Sequence, residues 1–288
     1  MINPGNFTRR AVDGGEIRYG SSEMTLDKQT LHIQADGHRL RVRTIVPAGK
    51  RLSESPVMVF LHEGLGSIEI WRDFPEALVG LVGFPALVYD RYGSGGSEPL
   101  RETRRENHFL REAEVVLPEV LAAFGIDRPI LVGHSDGGTV ALLYAARYPD
   151  SPLGVITEAA HVFTETLTLA SIRKAVTAFE SGDLRAKLAR FHGEQTESMF
   201  HGWADIWLSQ EHEQWNMESA LPGIVCPLLV IQGENDEYGT MAQVNAIVKG
   251  VSGKVDTLII ADCAHVAHRQ APEKTLAGMA VFIDSLLQ

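Results

Sequence analysis

Two kinds of apolar periodicity divide this chain. Leu31-His32-Ile33-Gln34 and Leu40-Arg41-Val42-Arg43-Thr44-Ile45 alternate apolar and polar side chains around Asp36-Gly37. A period of two sets one face of a strand on a core and the other in water, and Asp-Gly suits a tight turn. This stretch therefore predicts a short antiparallel hairpin at a sheet edge. Val57–Leu61 and Ala86–Tyr89 are apolar throughout, as strands buried on both faces are, and residues 129–132, 154–157, 227–232 and 255–260 read as further strands. Between them, residues 68–80, 106–124 and 139–147 carry helical spacing, with Pro75 and Pro118 placed to kink or divide the first two. Strand followed by helix, repeated, predicts right-handed crossovers and an α/β fold with a mostly parallel sheet and helices on both faces.

After residue 157 the rhythm breaks. Residues 161–221 read as helix after helix, with Glu180-Ser181-Gly182-Asp183 as a stop and N-cap and Gly193 closing the next helix. The expected organisation is a core of residues 1–160 and 222–288 with a helical cap, 161–221, inserted over one edge of the sheet.

The strand at 129–132 runs into Gly133-His134-Ser135-Asp136-Gly137, and a helical pattern follows. A strand that turns directly into a helix holds the middle residue in a strained conformation, and flanking glycines leave room for it. The turn lifts the Ser135 hydroxyl clear of the sheet and aims the first helix amides at whatever it attacks. Serine needs a base, and the base needs an acid to hold its tautomer. Asp236 follows the strand at 227–232, and His265 follows the strand at 255–260. Parallel strands present these loops at one edge, so Ser135, Asp236 and His265 should converge. Glu158, Glu234 and Glu237 are competing acids, and His268 is a competing base.

With the order Ser, Asp, His in place, the sequence resembles the α/β-hydrolase family from about residue 31 to the C-terminus. Leu61-His62-Glu63-Gly64-Leu65-Gly66-Ser67 is similar to the family's His-Gly oxyanion loop, and Asp90-Arg91-Tyr92-Gly93-Ser94-Gly95-Gly96-Ser97 to its Asp-x-x-Gly-x-Gly-x-Ser loop. The resemblance implies backbone amides of Gly64 and Asp136 as oxyanion donors, and His134 as a structural residue. The sequence departs from the family at Glu63, where glycine is usual. A carboxylate pointing inward there would repel a developing oxyanion, so Glu63 is expected to turn away or to meet a cation such as Arg91.

The resemblance implies a serine hydrolase cleaving a carboxylic ester, or a related thioester, lactone or amide, of a small molecule, with no cofactor. A small-molecule receptor and a cofactor-independent oxygenase or perhydrolase on the same fold are the alternatives. Trp71, Trp203, Trp207 and Glu63 are candidate substrate contacts. Phe200, Trp203 and Trp207 share a helical face, which equally suits packing of the cap on the core. Carboxylates at Glu63 and Asp136 near the mouth would favour cationic substrates, unless backbone or arginine occupies them.

Composition narrows the remaining classes. The chain has 288 residues, 44% hydrophobic and 22% charged, enough for one large sheet with an insertion. A formal charge of −11 argues against a nucleic-acid partner. No window is long and apolar enough to span a membrane, and residues 1–18 lack the apolar core of a secretory signal, so a cytoplasmic location is expected. Cys226 and Cys263 fall at opposite ends of their strands and are expected to stay reduced. His32, His38, His62 and His108 are scattered, and no metal site is expected. Oligomeric state leaves no mark in this sequence.

Overall fold

The computed structural model describes residues 25–54, 56–101 and 107–288. Residues 1–18, which lack a secretory apolar core, lie outside them. Strand β1 (Leu26–Ala35) and strand β2 (His38–Pro47) form the hairpin, longer than the alternating stretch alone. Asp36 and Gly37 both have positive φ (52° and 75°), the two-residue geometry whose twist matches paired strands. Then come β3 (Val57–Leu61), α1 (Phe74–Val82), β4 (Ala86–Tyr89), α2 (His108–Arg111), α3 (Leu117–Ala123), β5 (Pro129–His134), α4 (Asp136–Arg147) and β6 (Gly154–Glu158). Helices α5 (Thr166–Ser181), α6 (Leu184–His192), α7 (Thr196–Trp207) and α8 (Gln210–Glu213) fill the stretch expected to be a cap. The chain closes with β7 (Leu228–Gly233), α9 (Met241–Gly250), β8 (Val255–Ile260), α10 (Ala267–Gln270) and α11 (Pro272–Ser285).

The eight strands make one sheet in the order β1-β2-β4-β3-β5-β6-β7-β8. Strand β2 is antiparallel to both neighbours, and β4, β3, β5, β6, β7 and β8 are parallel. The register sets Leu61 beside Gly133, His134 beside Glu158, and Gly233 beside Ile260. The loops after β3, β5, β7 and β8 therefore open on one edge.

Successive side chains alternate between two hydrophobic layers. Val57, Val59, Leu61, Leu131, Val155 and Val230 join one with α3, α4 and the inserted helices. Met58, Phe60, Ile130, Val132, Ile156 and Ile231 join the other with α1 and α11. Both layers are buried, which is why these strands read as continuous apolar runs. Cys226 and Cys263 are free and buried. Among the described residues no helix is long and apolar enough to cross a membrane.

Two helices depart from the periodicity. The pattern at 68–80 splits into a 3₁₀ turn, Ile68–Trp71, and α1, because Arg72 takes a positive φ (56°) and Pro75 sits in the first turn of α1. Pro118 lacks an N–H for the Glu114 carbonyl, and the helix widens into a π-turn over Glu112–Val116. The Tyr148 hydroxyl donates to the Glu114 carbonyl instead, at 3.0 Å. Asp183 lies at the N-cap of α6 as expected, but its side chain makes no capping bond and pairs with Lys187 at 2.7 Å.

Candidate active site

Ser135 sits between β5 and α4 with φ 52° and ψ −118°, a conformation costing a non-glycine residue about 1–3 kcal/mol. The surroundings enforce it. A Cβ on Gly133 would overlap the Gly137 carbonyl, and one on Gly137 would overlap the Leu61 carbonyl. The Ser135 amide donates to the Glu158 carbonyl at 2.8 Å, and its own carbonyl accepts the first bond of α4 from Thr139 at 3.1 Å.

His265 Nε2 lies 3.0 Å from Ser135 Oγ, and His265 Nδ1 lies 2.9 and 3.0 Å from the two Asp236 oxygens. All three side chains are buried. Asp236 accepts further bonds from the Gln232 amide at 2.7 Å and from the backbone of Tyr238 and Gly239 at 2.7 and 3.2 Å. Burial alone would raise its pKa, but the hydrogen bond and charge of His265 and the Tyr238 amide hold it below the ordinary value. Burial likewise works against a charged His265, yet Asp236 outweighs it and the His265 pKa is raised. The arrangement suits a serine whose proton passes to an imidazole that a carboxylate orients.

The competing groups are engaged elsewhere. His268 Nδ1 and its backbone amide meet Glu158 at 2.9 and 3.0 Å, so the second histidine and the alternative acid hold each other. The exposed Glu237 accepts from the His265 amide at 3.2 Å. His134 Nε2 faces the His265 carbonyl at 3.0 Å, tying the elbow to the base's loop. His62 Nε2 accepts from the Arg91 amide at 3.0 Å and joins the loops after β3 and β4. Among the described residues neither the Gly64 amide nor the Asp136 amide, the first of α4, is tied up in a hydrogen bond.

A sequence model of the alpha/beta hydrolase fold matches residues 56–222, more than half of the chain. The chain belongs to the α/β-hydrolase family. A proline iminopeptidase of Saccharolobus solfataricus is 24% identical over 270 residues, which cover 80% of this chain and 85% of that protein. The biotin biosynthesis bifunctional protein BioHC of Cellvibrio japonicus is 25% identical over 256 residues, and this α/β-hydrolase spans only about half of its length (48%). Among solved structures, a 2-hydroxy-6-oxo-6-phenylhexa-2,4-dienoate hydrolase from Rhodococcus superposes with a TM-score of 0.72 at 14% identity, over 90% of this chain and all of that one. The enol-lactonase from Burkholderia xenovorans gives 0.67 at 19% identity, over 88% of this chain and 100% of that one.

In this α/β-hydrolase, Ser135 and His265 line a cavity of about 370 Å³. Glu63 and Trp203 line it too, as expected of substrate contacts, whereas Trp71 and Trp207 do not. Trp71 is buried in the layer shared with α1 and α11, against Phe60 and the His268 ring. Trp207 donates to Asp136 Oδ1 at 3.2 Å. Asp136 is thereby withdrawn from the mouth: it is 2% exposed, with Arg91 Nη2 3.6 Å from its other oxygen. Arg91 meets the backbone carbonyl of Glu63 at 2.9 Å, while the Glu63 carboxylate turns to His134 Nδ1 at 3.4 Å. The premise for a cationic substrate therefore loses one of its two carboxylates.

Helix α6 supplies walls that the sequence reading passed over. Leu184, Leu188 and Phe191 line the cavity at i, i+4, i+7 spacing, a stripe visible in the chain but indistinguishable there from core packing. His192, at the end of the helix, accepts from the Gly95 amide at 2.9 Å and faces the Leu65 carbonyl at 3.0 Å, fastening α6 to two loops of the sheet edge. Tyr238 was also missed; its ring lies 4.6 Å from that of His265, and burial, aided by Glu63, pushes its hydroxyl up to about 12.

Two side-chain groups have ligand atoms close enough to share a metal ion, Glu63 with His134 and His265, and His134 with Glu158 and His268. In the first, His265 already uses one ring nitrogen on Asp236 and the other on Ser135. In the second, both Glu158 oxygens are taken by His268. An ion at either place would have to displace these bonds.

Proposed function

We propose that this α/β-hydrolase cleaves a carboxylic ester, or a related thioester, lactone or amide, of a small molecule through an acyl-serine intermediate. The observation that carries this reading is the 3.0 Å approach of His265 Nε2 to the Ser135 hydroxyl at the wall of an open cavity. Ser135 Oγ attacks the carbonyl carbon as His265 takes its proton. Asp236 keeps Nδ1 protonated and stabilises the imidazolium. The Gly64 and Asp136 amides hold the tetrahedral oxyanion, each worth about 3 kcal/mol. His265 then gives its proton to the leaving group, and a water, activated by the same imidazole, releases the acid and restores Ser135. A family whose relatives are named as peptidase, lactonase and carboxylesterase supports hydrolysis and leaves the acyl group open.

The test is turnover of p-nitrophenyl acetate and butyrate with and without a fluorophosphonate, followed by mass analysis of the labelled peptide. Turnover abolished by a label on Ser135 is the expected result. Turnover that survives stoichiometric labelling of Ser135, or a label on another serine that abolishes it, overturns the assignment.

A further inference from the structure

The cavity carries a charge opposite to that of the chain. Its walls include four cations, Arg72, Lys187, Arg190 and Arg269, and two carboxylates, Glu63 and Glu237, in a protein of formal charge −11. These cations come from three separate segments, the turn before α1, helix α6 and helix α10, so no local run of basic residues announces them.

The two signs differ in how they are used. Glu63 faces His134 at 3.4 Å and Glu237 takes the His265 amide at 3.2 Å. Of the cations, Lys187 pairs with Asp183, whereas Arg72, Arg190 and Arg269 have no acidic partner among the described residues. All three are exposed. The same cavity wall carries the apolar side chains of Leu65, Ile70, Leu188, Phe191 and Trp203.

The backbone at Arg72 is a second, independent sign. Its φ and ψ, 56° and −126°, lie close to those of Ser135, 52° and −118°. Glycine adopts this region freely and an arginine does not, and such strain in a side-chain-bearing residue gathers at functional sites.

We infer that the cavity selects substrates with an apolar acyl chain ending in a carboxylate, the chain lying on the apolar walls and the carboxylate meeting Arg72, Arg190 and Arg269. This deepens the ester-hydrolase reading and rests on it. Exposed guanidiniums on the cavity wall attract the anion while it approaches and hold it by charge-assisted hydrogen bonds once it is bound. The same field disfavours the cationic substrates that the sequence alone suggested.

The test compares three esters of one chain length: the mono-p-nitrophenyl ester of adipate, p-nitrophenyl hexanoate, and p-nitrophenyl 6-(trimethylammonio)hexanoate. The adipate ester should exceed the hexanoate in kcat/KM by about ten-fold at low ionic strength, and the ammonium ester should be the poorest. The ratio of adipate to hexanoate should narrow between low and high salt. It should fall by about two- to five-fold in each of Arg72→Gln, Arg190→Gln and Arg269→Gln. Arg147→Gln removes a charge that does not line the cavity and should leave the ratio alone. Arg72→Gly should lower the ratio as Arg72→Gln does without lowering Tm, because its φ suits glycine. Equal rates for adipate and hexanoate, or a ratio that survives all three substitutions, overturns the inference while leaving the hydrolase reading standing. If none of the three esters is turned over, the ester-cleavage reading has failed for them, and titration calorimetry with Ser135→Ala decides the inference. Tighter binding of the adipate ester than of the hexanoate supports it, and equal binding overturns it.

Discussion

Two acid–imidazole pairs, whose histidines stand three residues apart in the chain, have different fates in this protein. Asp236 with His265 and Glu158 with His268 share the same geometry, a carboxylate 2.9 Å from Nδ1, and every member is buried. The difference lies at the far nitrogen. His265 Nε2 reaches Ser135 at the cavity wall, whereas His268 Nε2 has no hydrogen-bond partner among the described residues and its ring lies 4.7 Å from Trp71 and 5.4 Å from Phe74. A carboxylate–histidine pair is therefore not a signature of catalysis by itself; what the distal nitrogen faces decides. The Glu158 pair acts structurally. Its carboxylate holds both the ring and the amide of His268, and the Glu158 carbonyl holds the Ser135 amide. One residue at the end of β6 thus pins the nucleophile's turn and the base's loop to each other.

The comparison breaks if the two histidines respond alike to substitution. His265→Ala should lower kcat/KM by about four to six orders of magnitude with a smaller change in unfolding than at His268, because Gln232 and the Tyr238 and Gly239 amides still hold Asp236, read by ester turnover and urea denaturation of the same sample. His268→Ala should do the reverse. It removes the partner of a carboxylate buried among β6, Trp71 and the loop, at about 3–5 kcal/mol of stability in urea denaturation. A stability loss at His268 below about 1 kcal/mol would remove the structural role argued for Glu158.

Acid should separate the pairs again. His265 must be neutral to accept the serine proton, and Asp236 raises its pKa, so kcat/KM should fall as pH drops through a limb above the ordinary 6.5. Glu158 goes the other way: despite desolvation, the charges of His268 and His134 lower its pKa from 4.5 to about 2. A carboxylate depressed in the folded state contributes stability that is complete above its unfolded value and is lost as pH falls through the folded one. The Glu158 contribution should thus survive the pH range in which activity is lost and disappear between about 4.5 and 2, a part of the stability profile that Glu158→Gln should flatten. The smallest effect should come from Trp71→Phe, which keeps an aromatic ring against His268. It should lower stability by about 1 kcal/mol and leave kcat/KM within about two-fold.

Much of the fold was legible in the chain because its signals are local. Period-two alternation marked the β1–β2 hairpin, and continuous apolar runs marked strands buried on both faces. The glycines around Ser135 could be anticipated from the turn, and the structure supplies their reason in the carbonyls of Gly137 and Leu61 that a Cβ would strike. The stretch at 68–80 divides, as Pro75 allowed, but the break falls at Arg72, because the periodicity of Ile68, Trp71 and Leu78 does not register a backbone reversal there.

What the sequence determined alone was the set of strand ends and therefore the meeting of Ser135, Asp236 and His265, since a parallel sheet sends every C-terminal loop to one edge. What only the tertiary structure decided was which side chains share a surface there. Sequence spacing could not show that Asp136 would be drawn inward by Trp207 and Arg91, that His268 would close on Glu158 across 110 residues, or that Arg72, Arg190 and Arg269 would border one cavity. The reason is physical. Secondary structure follows from interactions among near neighbours, whereas the charge and shape of a pocket are sums over groups that the chain brings together only by folding.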